Sequence, residues 1–388
     1  MKFKNFPIYR IEWVTSAFLI GTFLLSVTVV PWFLWKHHAD VQGWGFIWAL
    51  FIFYYYATGF GITLGYHRLF SHLSFKAKWP VKLFVLLFGA ASFENSALDW
   101  SADHRIHHKH VDEDEDPYDI SKGFFYAHIG WLLFRLKPKP PVNNVKDLEA
   151  DPLVMWQHRY VQWIGFFVGF VTPAVLGYVY GLACGFESPG MTALACFLIA
   201  GLLRVVIVQQ GTFCINSLCH MIGRQPYSTD HSARDSWQTA LLTFGEGYHN
   251  YHHEFQHDYR NGVKAWQFDP TKWIIWTLSK VGLTEDLRRV PDSRIMAAEL
   301  KEKSRTLGRD IDSLAARLDV RTRELKAKTI ASAHELAKEL ARRAEALKEA
   351  AATKADVAHE TIIELRGLLN QAASYLEALR RADAGAAA

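Results

Sequence analysis

The stretch Asp103-His-Arg-Ile-His-His-Lys-His110 decides how the rest of the chain is read. On a helix, His104, His107 and His108 stand at i, i+3 and i+4, so three imidazoles project from one face. A single histidine there is ordinarily a solvated or satisfied side chain, but three at this spacing make half of a metal site. The spacing returns in Gly245-Glu-Gly-Tyr-His-Asn-Tyr-His-His253, with His249, His252 and His253. His67 and His72 add an H-x-x-x-x-H pair, and Asn216 with His220 adds an N-x-x-x-H face. These nine histidines and one asparagine exceed what one zinc ion takes, which is about four ligands, or three plus water at a catalytic site. Two metals close together fit the set, and imidazole alone does not choose among iron, copper, nickel and zinc.

Composition sets the surroundings. Half of the 388 residues are apolar and 14% are aromatic, and the apolar content is concentrated before residue 215. Residues 14–35, 43–66, 161–183 and 191–211 are each long and apolar enough to cross a bilayer, giving four spans in two hairpins. The first follows a basic head (Lys2, Lys4, Arg10) and ends at Lys36-His37-His38. It is long, has no clear cleavage site and leads straight to another span, so it reads as a retained span rather than a signal peptide. The positive-inside rule places the N-terminus in the cytoplasm, and the second span returns His67 and His72 to that side. Cys184, Cys196, Cys214 and Cys219 lie in or beside apolar segments without C-x-x-C spacing and read as buried thiols. The net charge of +4 is small, and no nucleic-acid partner is expected.

Residues 80–98 are apolar enough to suggest a fifth span, yet they carry Glu94 and Asn95 toward their end, with Asp99 just beyond. A crossing there would put residues 104–108 on the opposite side from His67 and His72, so the segment reads as a buried, non-crossing helix whose polar end faces the site. His67 and His72 are about 140° apart on a straight helix, so the second span is expected to end or bend there. The charged loop 101–160 and residues 216–295 form a cytoplasmic cap, and the acidic run Asp112 to Asp116 is suited to orienting imidazole N–H groups. The loop joining the third and fourth spans carries no Lys or Arg, in agreement with this topology.

From about Ser293 the composition turns to Ala, Glu, Lys, Arg and Leu. Leu307, Ile311, Leu314 and Leu318, then Ile362, Leu365, Leu369, Ala372, Leu376 and Leu379, step as amphipathic helices do. The pattern falters over residues 329–354, so a helical bundle or partial coiled coil is expected rather than one long rod. The expected fold is all-α: a membrane domain over residues 1–295 and a helical C-terminal extension over 296–388 that carries no ligand cluster.

The set His67-Arg-Leu-Phe-Ser-His72, Asp103-His-Arg-Ile-His-His108, Asn216-Ser-Leu-Cys-His220 and Gly245-Glu-Gly-Tyr-His-Asn-Tyr-His-His253 resembles the membrane fatty acyl-CoA desaturases of the stearoyl-CoA (delta-9) type. Lys122-Gly-Phe-Phe-Tyr-Ala-His-Ile-Gly-Trp131 and Asp230-His-Ser-Ala-Arg-Asp-Ser-Trp237 extend the likeness, which covers residues 10–295. The resemblance implies four transmembrane helices capped by a cytoplasmic helical domain, with two iron ions at the junction, zinc being the metal of a misloaded site. It implies O2-dependent introduction of a cis double bond into an acyl-CoA or acyl-lipid, with the nine histidines and Asn216 as metal ligands and no catalytic residue beyond them. Asn95, Asp103, Arg105, Lys122 and the basic loop from Arg135 to Lys139 become headgroup contacts. Ala102 stands where such enzymes commonly carry a basic residue, so one phosphate contact is missing.

A closed acyl tunnel is implied too, and Phe51 and Tyr55, 16 and 12 residues before His67, are candidates for its floor. No His-Pro-Gly-Gly haem motif occurs in the tail, so electrons are expected from a separate cytochrome b5, ferredoxin or rubredoxin type of donor with its reductase. The tail itself is foreign to the core pattern and is a candidate for oligomer contacts. Two other readings share some of these residues: a His-rich membrane hydroxylase of fatty acid, alkane or sterol, and a scaffold with structural metal. The order of the four boxes favours desaturation, and a scaffold would have no use for Asn216.

Overall fold

Helix α1 (Trp13–His37) is built inside out. Its inward stripe contains Ser16, Thr22 and Ser26, while Phe23, Leu24, Leu25 and Val27 face outward with about half their surface exposed. In water that arrangement is unfavourable; against lipid it is the stable one, because hydroxyls such as Thr22 can bond back to their own helix, here to the Phe18 carbonyl at 2.7 Å. Three more helices are long and apolar enough to cross a membrane: α2 (Trp44–Ser71), and further along the chain Pro152–Ala183 and Pro189–His220. The structure, a computed structural model, describes residues 10–136, 143–317 and 320–352, with a few positions between 367 and 377. Readings that concern Lys2, Lys4, Lys137, Lys139, Leu318 and the tail repeat from Ile362 to Leu379 lie outside the described residues.

Between the second and third of these spans lie α3 (Trp79–Ala90) and α4 (Ala97–Lys109). With 12 residues, α3 measures roughly 18 Å and cannot cross a hydrocarbon core of about 30 Å. The expected non-crossing helix is therefore present but shorter than residues 80–98. A turn with left-handed backbone at Phe93 (φ 56°) and Asn95 (φ 75°) divides it from α4, whose N-terminus is capped by Ser96 accepting from the Asp99 N–H at 3.1 Å.

With α5 (Pro152–Ala183) and α6 (Pro189–His220) the four spans are complete. Three run past their expected limits: α2 reaches Ser71 rather than 66, α6 reaches His220 rather than 211, and α5 starts at Pro152 rather than 161. Hydropathy stops where polar side chains begin; after 66 and 211 the added residues are buried or half-buried and the helix continues, whereas the added first turns of α5 are exposed or half-buried, with only Gln157 and Val154 turned inward. Inside α6, fully buried Arg204 donates to the carbonyls of Ala200 (3.1 Å), Ala91 (2.6 Å) and Gly169 (2.9 Å). An arginine at this depth persists only when its donors are satisfied internally, and here it fixes the turn after α3 against two spans.

The cap continues with α7 (Trp237–Leu242), α8 (His249–Glu254) and α9 (Pro270–Lys280). A two-residue antiparallel ribbon of β1 (Lys76–Ala77) and β2 (Thr284–Glu285) joins the start of α3 to the end of α9. One core gathers Leu64, Tyr66, Val85, Leu86 and Ile275 beneath the cap, and another gathers Phe33, Ile47, Leu50 and Ile199 between the spans. The cysteines are free, but only Cys196 and Cys219 are buried; Cys184 is exposed and Cys214 half-buried. The apolar surroundings of Cys184 mark a span end, not an interior.

The chain separates into two compact units, residues 1–223 with 232–289, and residues 224–231 with 290–388. In the second, α10 (Asp292–Arg317) and α11 (Val320–Ala352) bury Leu307, Ile311, Ala333, Ala337, Leu300 and Leu340. The stretch where the repeat falters is thus still helical as far as Ala352, with the small Ala333 and Ala337 preceding Leu340 at the seam.

Candidate metal centre

From Gly61 to Ser71, α2 widens into π turns, and the His72 N–H donates to the His67 carbonyl five residues back at 3.1 Å. An i→i+5 helix brings residues five apart onto nearly the same face. The 140° separation on an α-helix is thereby narrowed, and the two rings lie 4.8 Å apart. On α4, His104, His107 and His108 keep their α-helical spacing. His220 arrives on a tightened 3-10 turn, Leu218–His220, that closes α6, and α8 presents His249, His252 and His253.

These nine histidines sort into two groups, within each of which the candidate ligand nitrogens lie within 4.8 Å of one another. His67, His72, His104, His108 and His252 form one; His107, His220, His249 and His253 form the other. Ring nitrogens face each other directly: His67 Nε2 lies 2.9 Å from His252 Nε2, His72 Nε2 2.8 Å from His104 Nε2, and His249 Nε2 3.1 Å from His253 Nε2. Burial, reinforced by neighbouring imidazoles, holds His72, His104, His108, His252 and His253 well below the ordinary histidine range. They are therefore neutral at pH 7, each with one ring lone pair. Neutral nitrogens converging in this number have more acceptors than protons to share, and divalent cations that favour imidazole satisfy them. The donor set fits two metal ions.

The rings are fixed from outside. Asp116 places both oxygens 2.9 Å from His107 Nδ1, Tyr118 Oη lies 3.2 Å from His104 Nδ1, and Ser232 Oγ lies 2.7 Å from His220 Nδ1 while donating to Asp112. Glu246 Oε2 is 3.0 Å from His67 Nδ1, and its Oε1 accepts from Arg68 at 2.8 Å. Burial alone would raise the Glu246 carboxyl, but Arg68 and His67 hold it below the usual carboxylate range. A partner on Nδ1 sets the tautomer and turns the Nε2 lone pair inward. The acidic run thus contributes Asp116 directly and Asp112 through Ser232. Glu246, Tyr118, Ser232 and Asp269, which also pairs with Arg68 at 3.0 Å, lie outside the residues that spacing alone marks. The signal for Glu246 is its place inside the Gly-Glu-Gly-Tyr-His motif.

The remaining expected residues are distributed around this centre. Asn216 is half-buried one turn before His220. Arg105 donates to the carbonyls of Ser71, Asn144 and Phe70 and pairs with Asp147 at 2.7 Å, so its guanidinium is already engaged by protein. It lines, with His72, His108, Lys109 and His257, a cavity of about 380 Å³ that opens onto the five-histidine group. Lys122 pairs with Asp119 at 3.2 Å, Asn95 is exposed in the turn after α3, and Asp103 is half-buried on α4. Tyr55 is half-buried, its ring 6.3 Å from Phe51 and 4.8 Å from Phe244. Ala102, in place of a basic residue, is packed in the core. Trp100 stacks on His104 at 4.7 Å and, with Thr212, hydrogen-bonds Glu94, whose carboxyl burial nonetheless pushes up to about 8.

Residues 42–281 match the sequence profile of the fatty acid desaturase family. The chain is 44% identical over 259 residues to a probable acyl-CoA desaturase of Schizosaccharomyces pombe, covering 66% of this chain and 52% of that protein. It is 44% identical over 260 residues to acyl-CoA desaturase 1 of Saccharomyces cerevisiae (66% and 49%), and 35% identical over 305 residues to human stearoyl-CoA desaturase (76% and 80%). It therefore spans about half the length of the two yeast relatives and four-fifths of the human one. With all four histidine segments inside the matched region, the chain belongs to the fatty acid desaturase family.

Proposed function

We propose that this chain introduces a cis double bond into a saturated fatty acyl chain, carried as acyl-CoA, at the delta-9 position, with O2 as co-substrate and two iron ions held by the nine histidines and Asn216. The observation that carries this reading is the sorting of nine histidines into groups of five and four, with every oriented ring turned inward. Iron, when bound, supplies the O2 chemistry that removes hydrogen from an unactivated methylene pair, which no side chain can perform. The chain's own residues do the rest. Asp116, Tyr118, Glu246 and the Asp112–Ser232 pair hold the imidazoles in the ligand tautomer. Glu94, protonated at pH 7, keeps a neutral hydrogen-bonding group beside Trp100, the wall of the His104 ring.

The acyl tail runs between the spans, with Phe51 and Tyr55 at its floor; Lys122, Asn95 and Asp103 meet the headgroup, and Arg105, its guanidinium held by protein, shapes the lip of the cavity beside them. The histidine side faces the cytoplasm, following the basic head of the first span, and a separate redox protein delivers the electrons. Residues 1–295 are the catalytic membrane domain, and the helices beyond serve assembly or partner docking.

Ligand substitutions test the reading group by group. His252→Ala from the five and His107→Ala from the four should each abolish new monounsaturated product on gas chromatography of lipids from expressing cells. Asp116→Asn, which leaves the ligand itself in place, should lower metal affinity or activity about 10–100-fold.

The acidity of Glu94 predicts a pH dependence. Its folded value of about 8 lies above the ordinary 4.5, so folding favours the proton, and stability from this group falls as pH rises from 4.5 to 8. Above about 8 the buried site acquires a negative charge. Wild-type turnover should decline on that side, whereas Glu94→Gln should keep its rate; parallel pH profiles would exclude Glu94 as the cause.

The floor assignment is read from chain length. Tyr55→Ala should raise the ratio of eighteen- to sixteen-carbon monounsaturated products, with each added buried methylene worth ~0.8 kcal/mol. An unchanged ratio in active, well-expressed protein rejects Tyr55 as the floor.

A further inference from the structure

Helix α9 has two faces of unusual character for a cap. Its inner face buries Thr271, Lys272 and Ile275, while Trp273, Trp276, Thr277 and Lys280 form an exposed stripe at i, i+3, i+4 and i+7. Trp273 is 43% and Trp276 51% exposed, and the Lys280 ammonium lies 4.9 Å from the Trp276 ring centre. A face meeting only water has no use for two tryptophans one turn apart. Helix α7 repeats the pattern, with Trp237 60%, Leu241 50% and Leu242 54% exposed.

The depth of these helices is fixed by their contacts with the spans. The Thr271 and Thr63 hydroxyls lie 2.7 Å apart, and Thr271 also donates to the Phe244 carbonyl at 3.2 Å. Phe244, just after α7, seats its ring where a side chain on Gly59 would stand, and the Leu242 carbonyl lies 3.1 Å from the position of a Cβ on Gly211. Counting from the first residues of α2 and α6, Trp44 and Pro189, at 1.5 Å per residue, Gly59 lies ~22 Å, Thr63 ~28 Å and Gly211 ~33 Å across the bilayer. A hydrocarbon core is about 30 Å thick. With those first residues at the far boundary, Phe244 falls inside the apolar layer and Thr271 and Leu242 at its edge. The exposed stripes continue the lipid-facing surface of the spans, and Lys280 has the aliphatic stem and terminal charge that let a side chain reach up to headgroups.

We propose that α7 and α9 lie in the plane of the membrane as a collar, with Trp237, Leu241, Leu242, Trp273 and Trp276 embedded at the headgroup–acyl boundary of the leaflet on the histidine side and Lys280 meeting lipid phosphate. Tryptophan at this level, with lysine beside it, is what interfacial helices use. The collar seals the rim of the metal-bearing cap against its own membrane, and it stands independently of which reaction the centre performs.

The test is depth measurement on the full chain in phosphatidylcholine–phosphatidylglycerol nanodiscs. In a Cys184→Ser background, Trp276→Cys, Leu241→Cys and, as a control on the acidic loop, Glu115→Cys are each labelled with a thiol-reactive nitrobenzoxadiazole dye, with the labelled background protein as blank. Phosphatidylcholine bearing a doxyl group at carbon five should quench the dye at 276 and 241 several-fold more than at 115, and aqueous iodide several-fold less. Two positions on separate helices keep the test usable if one variant fails to fold. If iodide quenches 276 and 241 as strongly as 115 while the doxyl lipid leaves them bright, the helices stand clear of the bilayer and the proposal is overturned.

Discussion

Everything in the first unit depends on gathering nine imidazoles in one place. Desolvation and neighbouring imidazoles keep His72, His104, His108, His252 and His253 neutral, and carboxylate, phenol or hydroxyl partners on the far nitrogen of several rings choose which lone pair points inward. That is an expensive arrangement, since a buried polar nitrogen without a partner costs about 1–3 kcal/mol. A metal ion held by the inward nitrogens would recover the cost and make ligand geometry part of the fold. The Arg68–Glu246–Asp269 cluster behind His67 shows the same logic: each buried charge has opposite charges and hydrogen bonds around it, and removing one member would leave the others uncompensated.

The membrane supplies the geometry. Four spans place two histidine-bearing helix ends on one side, but straight helices would aim His67 and His72 apart. The π turns of α2 correct that at one end and the 3-10 turn of α6 delivers His220 at the other. Arg204, deep between spans, fixes the turn that separates α3 from α4, so the second histidine box starts from a held point. The collar helices add a second boundary at which the cap meets the bilayer.

Much of this was legible in the residues. Histidine spacing found all nine members, and the parity argument kept residues 80–98 from being counted as a span. Hydropathy located the spans but not their ends, because it cannot see that the residues after 66 and 211 are buried by tertiary contacts. The π geometry was invisible: five-residue spacing says that a straight helix fails, not what replaces it. Outer partners are visible where they cluster, as in residues 112–116, or lie inside a histidine motif, as Glu246 does, whereas Ser232 and Tyr118 are too ordinary to stand out alone. The single exposed cysteine and the saturation of Arg105 by Asp147 and three carbonyls depend on neighbours distant in sequence.

If the nine histidines hold metal as a group of five and a group of four, the ions themselves can be located. Anomalous diffraction from crystals of the protein grown with iron, with data on both sides of the iron K edge, locates the metal directly. The account predicts two iron peaks, one enclosed by His67, His72, His104, His108 and His252 and the other by His107, His220, His249 and His253. A single peak, or peaks outside these two groups, would contradict it.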